Sequence, residues 1–190
     1  MLDCLVGSEM CIRDRFISAI LSVHSLALAQ NTEIQPYEVI KAIDSVEIRF
    51  YPSATLVQTS GGNNFGKLFR YISGSNESEE KIAMTAPVYM NEDKSEMAFV
   101  MPLDVHQRGA PEPMGKNVSL RITEPRYVAA IRYGGYTNAS KEATHTKRLM
   151  KALEDNSIEA KGAVEFLGYD SPYKFYNRRN EVMVEIAYNK

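Results

Sequence analysis

The chain reads as an α+β fold: a distorted antiparallel β-barrel flanked by two helices, a pseudo-symmetric duplication of a ββαββ unit. Three observations predict it. Several stretches alternate apolar and polar residues with a period of two; two others carry apolar residues at helical spacing. The order strand-strand-helix-strand-strand then occurs twice. Two such halves can pair their sheets and pack one helix each on the outside.

The first half opens with Val46, Ile48 and Phe50 alternating with Glu47, Arg49 and Tyr51, the pattern of a half-buried strand. Tyr51-Pro52-Ser53 turns the chain into a second strand over Ala54–Thr59. Gly61-Gly62-Asn63-Asn64 breaks that strand and supplies a helix cap. Phe65, Leu68, Phe69 and Ile72 fall at i, i+3, i+4 and i+7, one apolar stripe, and Gly74 ends the helix. Strands follow at Ile82–Met90 and Met97–Met101, joined by the polar turn Asn91-Glu92-Asp93-Lys94. Residues Pro102 to Asn117 hold three prolines and two glycines and read as a long loop. The second half repeats the order. Strands are predicted over Val118–Thr123 and Arg126–Tyr133, and Gly134-Gly135 breaks the latter. Asn138 or Ser140 caps a helix with Ala139, Ala143, Thr146, Met150 and Leu153 on one face. Strands at Val164–Tyr169 and Val182–Tyr188 close the unit.

Residues 1–29 are read as a leader, leaving 30–190 as one domain of the 190-residue chain. Arg13 and Arg15 precede an apolar run from Phe16 to Leu28, which ends in Ala27-Leu28-Ala29, a small-residue cleavage pattern. The run is short for a membrane span, so export to a periplasm or the exterior is expected, without membrane insertion after cleavage. The segment before it carries acids, unlike a leader, and resembles an artefactual start fused to the gene. Cleavage would remove both cysteines, Cys4 and Cys11, leaving neither a disulfide nor a thiolate. Taking two basic and three acidic residues from the chain's 22 and 24 leaves 20 and 21, a net charge of −1. No basic stripe points to nucleic acid, and no basic amphipathic helix points to a membrane surface.

Two blocks carry the most specific signal. The first is Asn64-Phe65-Gly66-Lys67-Leu68-Phe69-Arg70-Tyr71-Ile72-Ser73-Gly74-Ser75-Asn76, followed by Lys81-Ile82-Ala83-Met84-Thr85-Ala86-Pro87-Val88. The second is Tyr169-Asp170-Ser171-Pro172, then Arg178-Arg179-Asn180-Glu181-Val182. With Tyr37-Glu38-Val39, Phe99-Val100-Met101-Pro102 and Gly134-Gly135-Tyr136 they resemble, in the same order, the SOUL haem-binding protein family. The resemblance runs from about Pro36 to Tyr188 and implies the same barrel with two helices. It also implies haem, or a related tetrapyrrole, as a non-covalent ligand.

Haem is a flat apolar disc with two carboxylates, so its site needs an apolar wall and cations at the rim. The helix at 65–72 carries Phe65, Leu68 and Phe69, with Lys67 and Arg70 alongside. By motif position the resemblance places Phe65, Phe69 and Arg70 on the family's groove-lining helix, and Lys174 where a cation meets the propionates. Gly62 stands where some relatives carry another cation. Met84 is the methionine best placed for a pocket, since a thioether adapts to irregular apolar surfaces. The plainer reading of the aromatic stripe is core packing. The metal ligand, if there is one, stays open between His106, His145 and a methionine; no spaced metal set or haem-attachment motif occurs.

Arg178, Arg179, Asn180 and Glu181 admit two readings: a clamp locking a loop to a core strand, or cations offered to an anionic ligand. Non-enzymatic binding by an exported carrier or buffer is the expected function. Two alternatives stand beside it. A hydrolase of small hydrophobic compounds on the same effector-binding-like fold would use Glu165 or Glu181 as base, near Tyr169 or Tyr173. A protein-interaction module would use the loop over 102–117. No nucleophile elbow or phosphate-cradling loop occurs, and no catalytic residue is assigned.

Overall fold

The computed structural model describes residues 32–188, so the leader and both cysteines lie outside the described residues. The strands are β1 (Glu33–Ile34), β2 (Glu38–Ile43), β3 (Val46–Tyr51), β4 (Ala54–Ser60), β5 (Thr85–Ala86), β6 (Val88–Met90) and β7 (Glu96–Val100). They continue with β8 (Val118–Thr123), β9 (Arg126–Tyr133), β10 (Glu165–Gly168) and β11 (Asn180–Glu185). The helices are α1 (Asn64–Ile72), α2 (Leu103–Arg108) and α3 (Ala139–Asp155).

Nine strands form one antiparallel half-barrel sheet in the order β2-β3-β9-β11-β10-β6-β7-β4-β8. Exchanging β3 with β8, β4 with β9, β6 with β10 and β7 with β11 reverses that order and reproduces it, apart from the extra edge strand β2. The same exchange carries α1, packed on β4 and β7, onto α3, packed on β9 and β11. The duplication read from the order of elements is thus present in the pairing, with the β6–β10 pair at its centre.

The central strands β9 and β11 are buried on both faces. Along β9, Ala129 and Ile131 join the cluster under Leu149 and Leu153 of α3. Val128 and Ala130 point the other way, to a cluster with Tyr51, Leu56, Tyr89, Leu167 and Met183. A third cluster seats α1 through Leu68, Tyr71 and Ile72 on Val57 and Phe99. This curvature corrects the reading of β3. Its supposed outer residues Arg49 and Tyr51 are buried, and the supposed inner Phe50 is only partly so. Alternation finds strands but cannot tell that a curled sheet covers both faces.

Other boundaries shift for local reasons. The strand predicted over Ile82–Met90 splits into β5 and β6 at Pro87, which cannot donate to a ladder. β5 pairs in parallel with β1. The loop over 102–117 contains α2, and β2 is an added edge strand with mostly exposed residues, which explains its weak pattern. On α3 the buried residues are Glu142, Leu149 and Leu153, so the face predicted through Ala143 and Met150 is rotated. The cause is Glu142, a core acid bonded to Thr137 at 2.8 Å and paired with Lys94 at 3.0 Å, which a hydrophobicity pattern scores as outward. Asn138 caps α3, its side chain accepting from the Lys141 amide at 2.9 Å.

Candidate functional site

Helix α1 starts at Asn63, whose backbone is left-handed (φ 54°) and whose side chain makes no cap bond. Asn64, expected to help cap it, instead donates to the Ser95 carbonyl at 2.9 Å and ties the helix to the β6–β7 hairpin. The helix ends at Ser73, and Gly74 follows at φ +113°, a conformation that a side chain disfavours. Asn76, completely buried, clasps the turn. Its amide donates to Tyr71 O (3.0 Å) and Glu80 O (2.8 Å), and its oxygen accepts from Glu80 N (3.1 Å). The Tyr-Ile-x-Gly-x-Asn motif is therefore the device that stops α1 and returns the chain to the sheet.

Once α1 is seated, its flanks differ. At about 100° per residue, Phe65 and Phe69 lie about 40° apart on one side and Lys67 lies about 160° from Phe65 on the other. Phe65 and Phe69 stack at 6.0 Å with 13° between their planes, and Phe65 sets its edge on Phe99 of β7 at 5.3 Å. They are 48% and 50% exposed, a large fraction for paired phenylalanines. Met84 and Val88, partly buried, pack on the cluster beneath them. Leu68 is fully buried, so it seats the helix and does not line an open groove. Arg70 is exposed, about 100° round from Phe69, and borders a 330 Å³ cavity with Lys67, Tyr71, Met114 and Val118. The single cleft expected from Phe65, Phe69 and Arg70 is therefore divided. The rings form an apolar ledge toward β6, and the cavity at Arg70 lies toward β8.

Lys174 sits in the connection from β10 to β11. Gly168, the last residue of β10, is opposite Val88, and the connection reaches back to Gly134 and Tyr136 after β9 and to Tyr37. It is braced from within. Lys174 Nζ meets Asp170 Oδ1 at 2.5 Å, and the Arg179 amide donates to Asp170 Oδ2 at 2.5 Å. Arg178 donates to the carbonyls of Ser171 (2.7 Å) and Lys174 (2.6 Å). Burial opposes charge on Asp170, but Lys174, the Arg179 amide and Arg178 outweigh it and hold the carboxyl below its ordinary value. The braced connection presents Tyr173, Phe175 and Tyr176 to solvent, at 90%, 77% and 67% exposure. Sequence reasoning missed this patch as a unit, although three aromatic residues in four were its signal.

Glu181 ends the alternatives for the Arg-Arg-Asn-Glu block. It is completely buried on the concave side. Arg49 Nη1 donates to Oε2 at 2.6 Å, Arg179 Nε to Oε1 at 2.9 Å, and the Tyr169 hydroxyl to Oε2 at 2.9 Å. Arg49 also lies over the Tyr37 ring at 4.3 Å and Arg179 over Tyr169 at 3.8 Å. Burial raises the cost of the carboxylate, but both arginines hold its pKa below the ordinary value. Asn180 donates to Gly135 O at 2.8 Å. These residues clamp β11 to β3. A carboxylate that stays ionised, paired and shielded is poorly placed to take a proton, and burial pushes the Tyr169 hydroxyl far up. Glu165 pairs with Arg126 at 2.9 Å. Tyr173, at 90% exposure, belongs to the braced connection instead.

The histidines lie elsewhere. His106 is on α2, its Nδ1 2.9 Å from Thr55 Oγ1. His145 is on α3, stacked on Tyr133 at 4.6 Å; burial, then Arg148 and Lys141, lower its pKa.

A duplicated half-barrel with a helix on each half and an aromatic ledge beside one of them is the frame the residues build. Its fold is shared by solved structures of low sequence identity. The EcmrR C-terminal domain aligns with a TM-score of 0.51 at 12% identity, over 80% of this chain and 98% of that one. A hydrolase from Listeria innocua aligns with a TM-score of 0.54 at 9% identity, over 78% and 94%. The SOUL heme-binding protein profile matches residues 32–185. Human heme-binding protein 2 is 31% identical over 157 residues, covering 73% of this chain and 76% of its own. Mouse heme-binding protein 1 is 32% identical over 126 residues, covering 61% of this chain and 66% of its own length. The chain belongs to the SOUL heme-binding protein family.

Proposed function

We propose that the chain binds haem or a related tetrapyrrole non-covalently on the ledge side of α1, without chemical turnover, as an exported carrier or buffer. The observation that carries this reading is the stacked Phe65–Phe69 pair, half exposed over a packed apolar floor. A flat apolar ring covers such a pair, which a solvated helix face has no reason to keep uncovered. The relatives named for binding haem support the ligand class.

The residues fit the group. Phe65 and Phe69 would meet the ring face, with Met84 in the floor beneath them. Arg70 would offer a cation to one carboxylate, and Lys174, assigned by motif position, would share with the other the charge it now gives Asp170. Leu68 acts through the helix seat. The ledge carries neither His106 nor His145; a methionine ligand stays open, and face and rim contacts supply the rest of the holding. Export is proposed on the apolar run 16–28 and its Ala-Leu-Ala end.

Titration with hemin tests the proposal, read in the Soret band. Saturable one-to-one binding is expected, with the pigment recovered unchanged. Exposed charges contribute roughly 0.2–1 kcal/mol each, so the Arg70→Ala, Lys174→Ala double variant should weaken binding about two- to thirtyfold. A Soret band that never saturates, or a double variant that binds like the parent, overturns it.

A further inference from the structure

A second cavity, of 320 Å³, lies away from the ledge and shares no lining residue with the one beside Arg70. Its walls come from β1, α2 and the β3–β4 turn. β1 and α2 have no counterpart under the strand exchange that relates the two halves. The cavity is thus an addition to the duplicated frame. The segment over 33–36 closes one side as a pinned strap: the Gln35 amide donates to Ala86 O at 2.8 Å, and the Tyr89 hydroxyl donates to Gln35 Oε1 at 2.6 Å. Glu33 accepts from the Leu103 amide at 2.9 Å.

Several polar groups of this wall are engaged within the protein, while Ser53 and Gln107 also line it. Glu33 and Gln35 are engaged in the strap, and the Thr85 hydroxyl donates to Val100 O. His106 is different. Its Nδ1 is held by Thr55, a threonine only 5% exposed. In the tautomer in which the Thr55 hydroxyl donates to Nδ1, the ring proton sits on Nε2. Among the described residues Nε2 has no hydrogen-bond partner. Pro36, Ala54, Val100, Met101 and Leu103 make the remaining surface largely apolar. No lysine or arginine lines the cavity, and the carboxylate of Glu33 does. An anion therefore finds no cation here and meets a like charge. The volume is at the small end of the range for small-molecule sites.

We propose that this cavity binds a small neutral molecule, one ring or a short chain, whose carbonyl or ether-type acceptor takes the His106 Nε2–H bond. Recognition is by shape and one hydrogen bond, and it does not depend on the aromatic ledge.

The test titrates the full chain with acetophenone, a one-ring ketone, while following the His106 ring resonances by NMR. A saturable shift is expected with Kd on the order of 1 mM, ordinary for a nine-heavy-atom ligand. Ethylbenzene, which lacks the acceptor, and benzoate, which adds a charge, should each bind several-fold more weakly. His106→Phe should lower acetophenone affinity about fivefold by saturation-transfer measurement, the loss of one hydrogen bond. Thr55→Val, a second variant that leaves the ring in place, should weaken it by a smaller factor. A Phe65→Ala, Phe69→Ala variant should bind acetophenone like the parent, which separates this site from the tetrapyrrole reading. The proposal is overturned by a shift that does not saturate, by equal binding of ethylbenzene, or by undiminished binding in His106→Phe.

Discussion

Truncating both ledge phenylalanines is the sharpest perturbation of the proposed binding face. Phe65 and Phe69 expose about half their surface, and a phenylalanine residue carries roughly 200 Å², so each offers roughly 100 Å² to solvent. A flat ring covers one side, roughly 50 Å² of each. At about 25 cal/mol per Å², the pair contributes about 2.5 kcal/mol, or about 70-fold in Kd. The Phe65→Ala, Phe69→Ala variant should therefore bind hemin about 70-fold more weakly in a Soret titration. Its fold should be little affected, because the helix is seated by Leu68, Tyr71 and Ile72, which the variant keeps. Far-UV circular dichroism on the same samples checks that α1 persists. Parent-like hemin affinity in a folded variant would refute the reasoning and move the pigment to another surface. The opposite behaviour is expected of Leu68→Ala, which should lose about 2–5 kcal/mol of stability through the core it vacates.

The other predictions concern the clamp. Glu181→Gln removes the charge shared by Arg49 and Arg179 and leaves two guanidinium groups without their buried partner. It should cost about 3–5 kcal/mol in urea denaturation; a loss below about 1 kcal/mol would show that the network is not desolvated. The pH dependence has a fixed sign. Glu181 and Asp170 have folded pKa values below their unfolded ones, so their stabilisation is complete above about pH 4.3 and is lost as pH falls through the folded values. The urea midpoint should fall on acidification in that window, and Glu181→Gln should flatten the slope while Asp170 retains its share. A slope equal to the parent's would assign the acid sensitivity to other carboxylates.

Much of the fold was legible because its signals are local. The strands over 118–123 and 126–133 were read to the residue, since polar breaks flank clear alternation. Gly74 was legible as a helix stop because its left-handed backbone is a property of that residue type. The short helix α2 was hidden among prolines and glycines. The site was legible only in its parts. Phe65 and Phe69 were found by spacing, but spacing alone could not separate a core stripe from an exposed ledge.

From the chain alone came the α+β class, the order of elements and the duplication, carried by patterns that short-range geometry imposes, and the family, carried by the resemblance of its motifs. Tertiary structure decided which side of each element is covered. It buried Arg49 and Glu142, left the two phenylalanines half open, and turned Arg70 toward a separate cavity. The physical reason is that exposure depends on what the curled sheet brings alongside from far along the chain. Glu181 is the clearest case: its meaning rests on Arg49, 132 residues away, and no local pattern reports a partner at that distance.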